Sequence, residues 1–289
     1  MIRLHEDAVL FREAVSFTQA ETAFLAQLIE KDYFCSILLE HLAAESKGQL
    51  VFKGGTCLTK VHAEFYRLSE DLDFAIPTAV DATRAERSKR AEGAKRIVER
   101  LSRTIACFQV VEPLRGANNS TQYIGSVKYV SLTSGQSENI KIEIGLREPL
   151  VTPTLEGNAR TLLLNPVSGQ PAVSPFSVVC ISKTEGIAEK FRAALTRREL
   201  AIRDFYDIDY AVQKMGVHVN DAALVQLVMR KLVVAGNAPI NVSAEKLTEL
   251  RGQLETRLRP VLRETDFEGF DLERAFGIVA DMAKSARPR

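Results

Sequence analysis

Residues 71–76 read Asp-Leu-Asp-Phe-Ala-Ile and end at Pro77, and this alternation of polar and apolar side chains constrains the chain more than any other segment. Successive side chains of a strand point to opposite faces, so the pattern predicts a strand with one face in a core and with Asp71 and Asp73 together on the other. Pro77 cannot donate to a strand ladder and closes the segment. Upstream, the apolar pair Val51 and Phe52 leads into Lys53, Gly54, Gly55 and Thr56. That order predicts strand, glycine turn and helix, with Thr56 capping a helix that runs through Lys60 and Phe65 to about Arg67.

The rest of the chain supplies partners for this strand. Apolar residues at three- and four-residue intervals, among them Phe24, Leu28, Phe34, Leu38 and Leu42, predict an amphipathic helix over 21–45. A long charged helix is expected over 81–108, and strands over 109–111, 123–132 and 140–144, separated by turn-forming clusters of Gly, Asn and Ser. Together they suggest the meander of a mixed sheet. A Pro- and Gly-rich loop over 149–175, interrupted by Leu162, Leu163 and Leu164, marks a boundary near 175 between a first lobe, 1–175, and a mostly helical second lobe, 176–289. In the second lobe helices over 222–234, 244–262 and 272–283 read as packing elements.

Length suggests two lobes or one large domain, and composition excludes several classes. The chain has 289 residues, 46% of them hydrophobic, enough for a sizeable core. Cys35, Cys57, Cys107 and Cys180 lie far apart and form no CxxC pair, and His5, His41, His62 and His218 make no metal-spaced cluster. Ordinary reduced thiols are expected, with neither a zinc site nor a disulfide framework. No apolar run approaches the roughly 20 residues needed to span a bilayer, and residues 1–11 carry charges where a signal peptide is apolar. A cytoplasmic address without a membrane partner follows as the expectation, with a monomer as the default. The formal charge of +1 argues against a protein that coats polyanions generally. The basic stretch from Arg84 to Arg103 is read either as a solvated helix face or as a local RNA track.

Asp71 and Asp73, two residues apart on a strand, have Cα atoms about 6 to 7 Å apart and can converge on one or two divalent ions. Magnesium suits such a pair, because it takes one or two carboxylates and completes its shell with substrate phosphates; manganese is the alternative ion. Gly54 and Gly55 let backbone approach a phosphate, and amides at a helix start favour negative charge. The combination predicts in-line displacement at the α-phosphorus of a nucleoside triphosphate, with no covalent nucleophile. Glu143, beside Lys141 on the 140–144 strand, is a third acid that reads as a metal ligand or base, or as a solvated residue paired with Lys141.

Lys53-Gly54-Gly55-Thr56, followed by Arg67, Ser69, Glu70, Asp71, Leu72 and Asp73, resembles the first signature of the AbiEii toxin nucleotidyltransferases, which include the MenT-type toxins. Glu30-Lys31-Asp32-Tyr33, the strand carrying Glu143, the helix with Glu185, Ala188, Glu189, Lys190 and Arg192, and Arg203-Asp204-Phe205-Tyr206-Asp207 are similar to further features of that family. The resemblance spans about 30–210. It implies an α+β nucleotidyltransferase fold of the DNA polymerase β kind, with a mixed sheet, flanking helices and a mostly helical C-terminal lobe. It also implies magnesium dependence, nucleotide transfer to RNA with the tRNA 3' end expected as acceptor, pyrophosphate as product, and a cognate antitoxin.

Carried over by position, the resemblance gives Asp71 and Asp73 the metal, with Glu143 beside them. Lys53, Gly54, Gly55, Thr56, Arg67 and Ser69 would bind nucleotide, Lys190 the triphosphate charge, and Asp204 would have a catalytic or positioning role. The segment between Lys190 and Arg203, with Arg197, Arg198 and Glu199, is longer than the family pattern, so the substrate-contacting arginine stays open. Plainer readings stand beside these roles. Lys190 fits a solvated helix face, Asp204 a partner for Arg203 or Arg198 or a helix cap, and Arg67 a partner for Glu70 or Asp71. Two competing functions are a small-molecule nucleotidyltransferase of the antibiotic-modifying kind and an inactive nucleotide-binding regulator. The intact Asp71 and Asp73 argue against the second.

Overall fold

Asp7 starts the first helix: its carboxylate accepts from the amides of Val9 and Leu10 at 3.1 Å each, capping α1 (Ala8–Thr22). Ala23 then turns left-handed, with φ 59°, which ends α1. The single helix expected over 21–45 therefore starts only at α2 (Ala26–Ser46). The structure, a computed structural model, describes residues 3–286.

Seven strands form one mixed sheet: β1 (Val51–Lys53), β2 (Leu72–Ala75), β3 (Gln109–Ala117), β4 (Gln122–Val130), β5 (Ser137–Gly145), β6 (Leu155–Ala159) and β7 (Phe176–Cys180). Their order is β3-β4-β5-β2-β1-β7-β6, with β2·β5 and β1·β7 parallel and the other neighbours antiparallel. The alternation that announces β2 is visible in its burial, with Leu72 and Phe74 in the core and Asp73 half-buried. β6 and β7 lie where a loop and helices were expected. β6 contains Gly157 and Asn158, poor strand formers, and is held by its pairing with β7 at the sheet's edge.

The helix expected from Thr56 to Arg67 is displaced and shortened. It begins at Gly54 as α3 (Gly54–Cys57), continues as a π-helical turn over Leu58–His62, and stops at Ala63, whose backbone is extended. Lys53 occupies the N-cap position, and Arg67 lies on the irregular return to β2. The wide turn carries Lys60 into the core, where its ammonium donates to Asp32 Oδ1 (2.6 Å), Ser36 Oγ (2.7 Å) and the carbonyl of Arg160 (3.3 Å). Asp32 also accepts from the amide of Leu162 at 3.0 Å.

α4 (Arg84–Thr104) opens on a capping box between Thr83 and Glu86 and buries Ala91, Ala94, Val98 and Leu101 at helical spacing. α2 packs on the sheet through Phe34, whose ring stacks on Tyr129 of β4 with centroids 4.0 Å apart. Its Glu30 is buried and accepts from the amide of Leu132 (2.6 Å) and the hydroxyl of Ser131 (2.7 Å), fixing the turn after β4.

The chain divides into two compact units, one of residues 3–150 with 154–181 and one of 151–153 with 182–286. β7 pairs with β1 and β6, so the sheet carries the first unit through Ile181, beyond the boundary expected near 175. The second unit is helical: α5 (Lys183–Thr196), α6 (Ile202–Lys214), α7 (Ala222–Leu232), α8 (Ala244–Arg251), α9 (Glu264–Glu268) and α10 (Leu272–Ser285). Buried Lys231 of α7 pairs with Glu185 (2.7 Å) and Glu189 (3.2 Å) of α5. Glu185 in turn accepts from the amides of Val151 (2.9 Å) and Thr152 (2.7 Å), which is why this short segment belongs to the second unit. Among the described residues no helix is long and apolar enough to cross a membrane.

Replacing Lys60 with Met would leave the Asp32 carboxylate in the core without its ammonium partner. The expected loss is about 3–5 kcal/mol, seen as a lower urea midpoint by circular dichroism. An unchanged midpoint would mean that Asp32 does not depend on Lys60.

Candidate active site

Strand register assembles the first group. Lys53 of β1 lies opposite Asp73 of β2, and Asp73 lies opposite Glu143 of β5. Side chains paired across neighbouring strands share a face, so these three form one row. Asp71 sits just ahead of β2, and its carbonyl accepts from the hydroxyl of Thr56, which is buried and thereby fastens the acidic segment to α3. Lys31 of α2 pairs with Glu70 at 3.1 Å from the other side.

Both glycines of the turn are required by close approach. Gly54 has φ +75°, and a β-carbon there would collide with Asp73 Oδ2 and lie 2.8 Å from Asp73 Cβ. One on Gly55 would collide with Arg67 Nη2 and lie 3.2 Å from Ser69 Oγ. Arg67 is buried and donates through Nη1 to the carbonyl of Leu68 at 3.1 Å. The turn thus lays bare backbone against Asp73 on one side and against Arg67 and Ser69 on the other.

Glu143 is tied by both oxygens, accepting from Gln122 Nε2 at 2.5 Å and from Lys141 Nζ at 2.8 Å. Burial pushes its pKa up, but the Lys141 ammonium, the Gln122 amide and the charge of Lys53 outweigh burial and hold the carboxyl below its usual range. Burial opposes the charge on Lys141, yet Glu143, followed by the fields of Asp71 and Asp73, raises its pKa. The face is therefore an acidic patch with Lys141 as its counter-charge. The Lys141 pairing read from the sequence is present.

The second unit gathers its own charged group. Lys190 of α5 lies 2.8 Å from Asp204 Oδ1 and 2.8 Å from Asp207 Oδ2, both on α6, and Arg197 lies 3.0 Å from Asp204 Oδ2. Lys190 and Arg197 are thus partners of Asp204, beside the pairing with Arg203 or Arg198 and the helix cap that the sequence offers. Lys190 is largely buried and does not lie on a solvated face. Asp207 received no role from the sequence, although three-residue spacing on a helix places it beside Asp204.

A third group was not legible. The ligand atoms of Cys57, His62 and Cys180 all lie within 4.8 Å of one another, correcting the expectation that the cysteines stand apart and that no histidine joins a cluster. Cys57 ends α3, His62 ends the π turn, and Cys180 ends β7, a strand the sequence did not announce. A hydrogen bond from Cys57, with His62 contributing, pulls the Cys180 thiol down to about 5 against the effect of burial. Cys35, by contrast, is an ordinary buried thiol, pushed up to about 12 by desolvation.

A mixed sheet with two acids at the head of a central strand and a glycine turn beside them defines a nucleotidyltransferase arrangement. The family model described as nucleotidyl transferase AbiEii toxin, type IV toxin–antitoxin system, matches residues 37–275, and the chain belongs to this family of nucleotidyltransferase toxins. Membership implies a nucleoside triphosphate substrate and an antitoxin partner. The fold is similar to that of MenT4, a nucleotidyltransferase toxin of Mycobacterium tuberculosis H37Rv, at TM-score 0.55 and 18% identity, covering 89% of this chain and 87% of that one. It is also similar to JHP933 from Helicobacter pylori, at TM-score 0.52 and 15% identity, covering 90% and 92%. At these identities the likeness concerns the fold. No curated protein matches the chain in sequence.

In Gly54→Ala the new β-carbon must displace Asp73. Nucleotidyl transfer is expected to fall by about 100-fold, the scale of an ångström-level misplacement, with the far-ultraviolet circular dichroism spectrum retained. Wild-type activity in this variant would show that the position of Asp73 does not matter.

Proposed function

We propose that this protein transfers a nucleoside monophosphate from a nucleoside triphosphate to an RNA acceptor, the tRNA 3' end, releasing pyrophosphate. The observation that carries this reading is the row of Lys53, Asp73 and Glu143 on three adjacent strands, with Gly54 backbone set directly against Asp73.

The donor set fits a hard divalent ion. Asp73 and Glu143 are register partners on adjacent strands, with Asp71 just ahead of β2, and carboxylates are the donors that a hard ion takes beside substrate phosphates. In this reading Asp71 and Asp73 hold magnesium, or manganese in its place, and Glu143 stands beside them with lone pairs to spare beyond its bonds to Gln122 and Lys141. When bound, the ion supplies Lewis-acid polarisation of the α-phosphate and charge neutralisation for the departing pyrophosphate.

The chain's own residues bind and orient. Gly54 and Gly55 bring bare backbone beside Asp73, Arg67 and Ser69, with Thr56 fixing the turn to the acidic segment, and in this reading the turn amides, Lys53, Arg67 and the hydroxyl of Ser69 bind the phosphates. In the second unit the family resemblance implies the triphosphate charge as the role of Lys190, and Asp204 and Asp207 are the carboxylates that position its ammonium. For the RNA, α4 exposes Arg84, Lys89, Arg90, Arg96, Arg100 and Arg103 against Glu86, Glu92 and Glu99. Lys89, Arg90 and Arg96 also line a groove of about 770 Å³ in the first unit. Such a face suits a phosphate backbone.

The test incubates the protein with magnesium, bacterial tRNA and each α-phosphate-labelled nucleoside triphosphate, with Asp73→Asn as control. Label is expected on the tRNA 3' end with wild-type protein, at a rate at least about 100-fold lower in the variant. Equal rates would remove Asp73 from the reaction, and label on a small molecule or protein instead of RNA would replace the acceptor.

A further inference from the structure

We propose that Cys57, His62 and Cys180 form a zinc site in the first unit, distinct from the oxygen-lined site proposed for magnesium. Two thiolates about 2.3 Å and an imidazole about 2.0–2.1 Å from a tetrahedral zinc stand roughly 3.5–3.8 Å apart. The three donor atoms here already lie within 4.8 Å of one another, so a closure of about 1 Å, within reach of small side-chain rotations, brings them to zinc geometry.

The surroundings are those of a ligand set. His62 Nε2 donates to the carbonyl of Ile181 at 2.8 Å, which places the proton on that nitrogen and leaves the Nδ1 lone pair to bind metal. Histidines that ligate metals are oriented by this kind of bond from the other ring nitrogen. The backbone of Gly157 on β6 runs beside the Cys180 sulfur, and a β-carbon there would lie 2.9 Å from it. Glycine thus lets backbone reach the sulfur. Both cysteines are fully buried and His62 is half-buried, so the open side of the set is the histidine side, where water would supply the fourth ligand.

Two sulfurs and an imidazole select a borderline-soft ion such as zinc over magnesium, whereas the carboxylates of Asp71 and Asp73 select the hard ion. The two sites therefore do not compete. Cys57 follows the Gly54–Gly55 turn by two residues, His62 closes the π turn, and Cys180 pairs in register with Phe52 of β1. Zinc there would clamp both ends of the segment behind the glycine turn to the strand beside it, and bound metal would raise the melting temperature.

The experiment titrates cobalt(II), as a spectroscopic probe of a zinc site, into the reduced, metal-free protein. One equivalent is expected to develop a thiolate-to-cobalt charge-transfer band and the intense visible bands of tetrahedral cobalt. Zinc should bleach both stoichiometrically, and excess magnesium should leave them unchanged. Cys180→Ser should lose the charge-transfer band or weaken it sharply, and His62→Gln should shift the visible bands while keeping the fold, so the inference does not hang on a buried cysteine variant. Wild-type protein with all four cysteines reduced that shows no bands would overturn the site, as would bands unchanged in both variants.

Discussion

The buried ammonium of Lys60 is the interaction on which the first unit turns. Four acceptors meet it: the carboxylate and carbonyl of Asp32, the hydroxyl of Ser36 and the carbonyl of Arg160. One charge thus binds α2, the π-helical turn and the segment after β6. A cation in a core is tolerated only when it is matched and fully hydrogen-bonded. The sequence had read Lys60 as one residue along a longer helix. Its burial accounts for that helix becoming a short α turn and a wide π turn, which returns the chain through Arg67 and Ser69 beneath Gly55.

What was legible in the sequence follows from period. The alternation at 71–76 placed β2 and the acid at Asp73 on its uncovered face, because side-chain direction in a strand depends on residue number alone. The long β3–β5 meander was announced by its turn residues, although β3 and β5 run further than their apolar cores suggested. β6 was not legible, since Leu-Glu-Gly-Asn-Ala has no strand signal and becomes a strand only against a partner, whereas β7, Phe-Ser-Val-Val-Cys, carries strand formers and was lost to the reading of a helical lobe from 176. With β7 unseen, Cys180 could not be placed beside Cys57 and His62. Charged pairs were the other gap: that Asp204 meets Lys190 and Arg197 depends on the packing of α5 against α6, which residue spacing does not reveal.

The two units solve the same problem with different means. The first is organised by a sheet whose apolar face packs on α2, and its polar groups cluster at the strand ends. The second has helices joined through buried ions, with Lys231 between Glu185 and Glu189 and Lys190 between Asp204 and Asp207. Arrangements of this kind add directional constraints that apolar packing alone lacks, which keeps neighbouring helices from sliding along one another.

The three residues Val151, Thr152 and Pro153 belong to the second unit while the chain on either side of them belongs to the first. The polypeptide consequently changes unit at 150, at 153 and at 181, and neither unit is one continuous stretch of the gene. A truncation after 150 discards two strands of the sheet, and one after 181 strands a tripeptide without the Glu185 carboxylate that holds it. A helical half grafted on at 181 therefore inherits the tripeptide of its host, and it must bring a carboxylate where Glu185 stands to receive those amides.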